Sequence, residues 1–76
     1  MKAVKVNMKG QVLNSDPVDL IIDEETKTAT VNNGNRVYDI AKCEGDSFVT
    51  TYYLTRLTKD LRKRLYTVYA VYEADN

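Results

Sequence analysis

The sequence predicts a mainly β fold: one small antiparallel meander of five to six strands, forming an open sheet or a small barrel. Three observations carry this. Apolar and polar residues alternate with a period of two through most of the chain. Short clusters of Gly, Pro, Asn, Asp and Ser interrupt the alternation. The dipeptide Asn33-Gly34, near the middle, is the strongest short-range hairpin signal a sequence can carry. At 76 residues there is room for a single domain over 1–76 and no second one.

The first strand is read over Lys2 to Lys9, with Val4, Val6 and Met8 on one face and Ala3, Lys5, Asn7 and Lys9 on the other. Gly10 permits a bend, and Asn14-Ser15-Asp16-Pro17 reads as a turn, since Pro cannot donate to a central ladder. Val18 to Asp23 is the second strand, with Val18, Leu20 and Ile22 inward and Asp19, Ile21 and Asp23 outward. After the loop Glu24-Glu25-Thr26, a third strand over Lys27 to Asn32 turns Ala29 and Val31 inward. A two-residue turn at Asn33-Gly34 sets Val31 opposite Arg36, Ala29 opposite Tyr38 and Lys27 opposite Ile40. That register puts Ala29, Val31, Tyr38 and Ile40 on one apolar face.

Glu44-Gly45-Asp46 joins a fourth strand, Asn35 to Cys43, to a fifth, Ser47 to Thr55. Unbroken alternation places Val49, Thr51 and Tyr53 on the Tyr38/Ile40 face. Val37, Phe48, Tyr52 and Leu54 then share the opposite face, which is also apolar. The sixth strand, Leu65 to Glu73, carries Tyr66, Val68, Ala70 and Tyr72 on one side and Leu65, Tyr69 and Val71 on the other. Between the last two strands, residues 56–64 form either a short helix, with Leu57, Leu61 and Leu65 on one stripe, or a hairpin tip turning at Lys59-Asp60. The helix is the preferred reading.

The residues available for chemistry are few. Histidine and tryptophan are absent and Cys43 is the only cysteine, which excludes an intramolecular disulfide framework, a Cys/His zinc site within one chain and any triad that needs an imidazole. Ser15, Ser47 and Cys43 have no base at motif spacing, and Asp23-Glu24-Glu25 reads as a solvated turn rather than an acid/base pair. No glycines lie close enough together to cradle a phosphate. A non-enzymatic protein without cofactor or metal is expected. The alternating N-terminus, the lone cysteine and the absence of any long apolar run point to a cytoplasmic protein without membrane contact.

Charge and aromatic content narrow the function. Eleven bases and eleven acids cancel, so no global field draws the chain to nucleic acid. Locally the balance breaks: Asp16, Asp19, Asp23, Glu24 and Glu25 crowd one stretch, and Arg56, Lys59, Arg62, Lys63 and Arg64 another. Six tyrosines are more than one sheet face can bury. The expected function is a protein-interaction module, a small regulator or inhibitor that binds a partner protein or its own copy as a homo-oligomer. Its interface would be Val37, Phe48, Tyr52, Leu54, Tyr69 and Val71, with the basic segment steering an acidic partner. An unpaired edge at Met1–Lys9 or Leu65–Glu73 offers a second mode of attachment. Small size without a family motif is also the character of accessory proteins of phages and other mobile elements. Two alternatives stand: a nucleic-acid module using the five bases with Tyr66 or Tyr53 as a stacking platform, and a barrel that encloses a small ligand.

Overall fold

A computed structural model describes residues 1–32, 37–45, 48–57 and 63–73. The strands are β1 (Lys2–Val6), β2 (Val12–Asp23), β3 (Thr28–Val31), β4 (Val37–Gly45), β5 (Thr50–Leu57) and β6 (Arg64–Glu73). Each pairs antiparallel with the next, and β1 pairs with β6, so the meander closes into a barrel. Closure overturns the expectation of an unpaired edge, because β1 and β6 use their outer backbone groups on each other.

The β3–β4 hairpin has the register that the turn chemistry implies. Ala29 pairs with Tyr38, and Ile40 N–H donates to Lys27 O at 3.0 Å. The turn residues Asn33 and Gly34 themselves, and Arg36, lie outside the described residues.

Elsewhere bulges replace simple alternation. Asn14-Ser15-Asp16-Pro17 is no turn: β2 runs through it. While β1 advances from Ala3 to Lys5, β2 covers Val18 to Asn14, so Ser15, Asp16 and Pro17 bulge out of the ladder. Proline tolerates a bulge because no ladder donor is needed there, and Asn14 Oδ1 accepts a 2.9 Å bond from Asp16 N–H in the turn-like manner the sequence advertised. The chain reverses earlier, where Asn7 Oδ1 accepts from the N–H groups of Lys9 (2.9 Å) and Gln11 (3.0 Å) and Gly10 takes φ +84°. Further shifts in β1 place Ala3, expected outward, in the core against Val71.

The most consequential bulge is in β4. Ile40 pairs with Leu54, but Lys42 rather than Ala41 pairs with Tyr53. The extra residue shifts the phase by one. Leu54 and Tyr52 therefore join Tyr38 and Ile40 inside the barrel, and the assignment by alternation is reversed. In the 56–64 segment β5 continues to Leu57, which pairs with Arg64, and Arg56 pairs with Leu65. The described part of this segment is hairpin, not helix. An isolated helical turn cannot compete with continued ladder bonds and β-branched, tyrosine-rich flanks. Residues 58–62 lie outside the described residues.

The core is small. Ala3, Leu20, Ala29, Leu54 and Val71 are buried together, with Met1, Val18, Ile22, Val31, Tyr38, Ile40, Tyr52 and Tyr69 packed against them. Among the described residues only Leu20 and Leu54 are large side chains with full burial. Eight strands leave an interior just wide enough for side chains. Six leave less, which is why two of the five central residues are alanine. Val6 and Val68, directly paired across β1 and β6, are buried outside that cluster.

Candidate functional site

In a closed up-and-down barrel, successive connections fall at alternate ends. The connections after β1, β3 and β5 share one end. The connections after β2 and β4, with the start of β1 and the end of β6, share the other. This sorts the charges. At the first end stand Lys9, Arg56, Lys63 and Arg64; at the second, Asp23, Glu24, Glu25 and Glu44 are interleaved with Lys2, Lys27 and Lys42. Among the described residues the first end is therefore basic, and the second carries both signs.

The first, basic end also gathers exposed apolar side chains. Met8, Val12 and Leu13 surround the β1–β2 turn, Leu57 ends β5, Leu65 and Tyr66 open β6, and Val37 opens β4. All are exposed, Tyr66 and Met8 at 71%. Leu13 is the residue that bulges between Lys5 and Val6 pairings. The bulge and the turn therefore hold Val12 and Leu13 off the core, and sequence alternation alone carries no sign of that.

The six residues expected to form one interface do not share a face. Leu54 (0% exposed) and Val71 (6%) are core, and Tyr52 and Tyr69 pack against it. Val37 and Phe48 are exposed but lie at opposite ends, Val37 at the start of β4 and Phe48, 88% exposed, just before β5. Of the five basic residues, Lys59 and Arg62 are outside the described residues. Arg56 is half-buried, its guanidinium 5.8 Å from the centroid of the Tyr38 ring, and its buried Nε has no hydrogen-bond partner among the described residues. Arg64 Nη1 donates to Thr55 Oγ1 at 3.4 Å, and Lys63 is exposed. Tyr53 has its ring covered by the Lys42 ammonium, 5.4 Å from the centroid. Lys42 in turn pairs with Glu44, which holds the Lys42 ammonium above its ordinary pKa and the Glu44 carboxyl below its own. That leaves Tyr66, not Tyr53, as an accessible ring beside bases.

At the second end a cavity of about 250 Å³ opens, lined by Ile22, Glu24, Lys27, Ile40, Cys43 and Tyr52. Ile22, Ile40 and Tyr52 also pack on the core, so the cavity is a mouth of the barrel. Burial raises the pKa of the Tyr52 phenol, with smaller contributions from Cys43 and from the Glu24 charge. Sequence reading treats Glu24 as a turn residue and Cys43 as a strand end. Their convergence depends on the Ala41 bulge, which sets Cys43 opposite Tyr52. Among the described residues no helix is long and apolar enough to cross a membrane, and no three His, Cys, Asp or Glu side chains gather as a metal site. No protein-family model matches the chain, and neither a curated protein nor a solved structure is similar to it.

Proposed function

We propose that the chain is a non-enzymatic protein-interaction module, a small regulator or inhibitor that docks by the basic end of its barrel on an apolar, acid-rimmed surface of a partner protein. One observation carries this reading: Met8, Val12, Leu13, Leu57, Leu65 and Tyr66 stand exposed at the same end as Lys9, Lys63 and Arg64. Isolated exposed apolar residues are ordinary, but a gathered set rimmed by charge is the anatomy of an interface. Tyr66 and Leu13 would act as anchors, and the bases would raise the association rate. Self-association through the same end belongs to this reading, as does a reducing cytoplasmic setting for the single thiol.

Affinity capture followed by titration of the captured partner is the test. Tyr66→Ala and Leu13→Ala should each weaken binding by about tenfold or more, while Phe48→Ala, at the opposite end, should leave it unchanged. A chain that captures no partner and sediments as a monomer at every concentration refutes the module. Loss of binding in Phe48→Ala alone would move the interface to the other end. The exposed Tyr66 ring beside Arg64 also favours a second reading, single-stranded nucleic acid stacked on that ring. Salt-dependent binding of a single-stranded oligonucleotide, lost in Tyr66→Ala, would select it.

A further inference from the structure

The mouth at the second end has features that docking by the basic end does not use. Its volume of about 250 Å³ exceeds the roughly 150 Å³ that suffices for a benzene ring, and lies just under the range of about 300–1,000 Å³ typical of larger ligands. Its inner wall is apolar: Ile22, Ile40 and the Tyr52 ring, all seated on the core. Its rim carries the Glu24 carboxylate and the Lys27 ammonium. Among the described residues neither takes part in an ion pair. Two opposite charges on one rim that do not neutralise each other are complementary to a molecule carrying both signs.

The loop that presents them is held open at a cost. Lys27 has φ 55°, a left-handed conformation that costs an L-residue roughly 1–2 kcal/mol and that glycine would adopt freely. The strain sits where a charge lines a cavity, the arrangement in which a backbone outlier points to a function. The Asp23 carboxylate pins the same loop by accepting from the N–H groups of Glu25 (3.0 Å) and Thr26 (3.3 Å). Both charges are thus displayed on a backbone already ordered, which lowers the entropic cost of capture.

We infer that this mouth binds a free α-amino acid with an apolar side chain, such as leucine or phenylalanine. The ligand's side chain lies on Ile22, Ile40 and the Tyr52 ring. Its ammonium meets the Glu24 carboxylate and the Tyr52 hydroxyl oxygen, and its carboxylate meets the Lys27 ammonium. A simple amine or a simple acid would satisfy one rim group and leave the other facing an apolar ligand, which is how a polar site rejects an analogue lacking one group.

Cys43 makes the test direct, because it is the only cysteine and lines the cavity. Its alkylation by N-ethylmaleimide therefore reports on occupancy of the mouth. Saturating leucine or phenylalanine should slow that alkylation by about threefold or more. Leucinamide, which lacks the carboxylate, and 4-methylpentanoic acid, which lacks the amine, should each require at least about tenfold higher concentration. Lys27→Gly separates binding from folding: it should resist urea at least as well as the parent chain, yet lose protection. No protection by either amino acid up to about 10 mM overturns the inference. So does equal protection by the amide and the acid, or full protection retained in Lys27→Gly.

Discussion

Strand β4 belongs to two ladders that obey different rules. Toward β3 the pairing is uninterrupted, and Ala29 meets Tyr38 as a hairpin at Asn33-Gly34 requires. Toward β5 the pairing slips at Ala41, and from there residues that alternation assigns to one face belong to the other. The difference shows what a turn can and cannot transmit. A tight turn sets the register of the strands it joins, because its geometry leaves one pairing. Alternation carries that information onward only until a bulge adds a residue, and nothing in Ile40-Ala41-Lys42 marks where it will be added.

The comparison is sharpest at Leu54 and Phe48, placed on one face by alternation and found in opposite environments. Leu54→Ala should destabilise the fold by about 2–5 kcal/mol, since its side chain is fully buried in the core. A domain of this size holds only roughly 3–5 kcal/mol in total, so the variant should be largely unfolded in urea titrations. Phe48→Ala should stay within about 0.5 kcal/mol of the parent. Equal losses at the two positions would restore the unbulged pairing and undo the core described above.

Legibility follows the same line. The class, the six strands, the core role of Leu20 and Ala29 and the inward Tyr38 and Ile40 were all readable, because each depends on alternation next to a well-marked turn. Ser15-Asp16-Pro17 is punctuation, but of a bulge rather than a turn, since the same residues serve both purposes. Barrel closure is not legible in the sequence because it depends on the summed curvature of several bulges, and a β1–β6 pairing between strands far apart in the chain has no local signature. The two ends of the barrel, and the side chains each gathers, exist only with closure. Exposure of Leu13 and convergence of Glu24, Lys27 and Cys43 are consequences of where strands stop and slip, not of composition.

The regular ladder can be tested from its own side. Ala29 is buried opposite Tyr38, in the same core cluster as Leu20 and Leu54. Ala29→Leu should cost about 1–3 kcal/mol by overpacking, read from the urea midpoint. The result would be neutral only if β3 were free to slip away from β4. At the lower end of this ladder, Lys27 supplies the carbonyl for the Ile40 N–H while strained at φ 55°. Lys27→Gly should raise stability by about 1 kcal/mol, a gain visible in the same titration. A loss would mean that the lysine side chain stabilises the fold more than its backbone strains it.

Tyr52 gives the smallest effect and the most selective one. On the unbulged pairing it would face solvent on the side opposite Ile40; in the barrel it packs against the core, and burial raises its phenol pKa above 10.0, with Cys43 and Glu24 adding to the shift. The folded chain therefore holds that proton more tightly than the unfolded chain does. Stability from this source is fully present below about pH 10 and is lost as the pH climbs from there through the higher folded value. Urea midpoints taken across the alkaline range should fall less steeply in Tyr52→Phe than in the parent chain, since phenylalanine has no proton to lose. Glu24→Gln should show a smaller difference in the same direction, because its charge contributes to the shift without dominating it. Identical alkaline slopes in the parent chain and Tyr52→Phe would place Tyr52 in water, and with it the whole of β5 beyond the bulge.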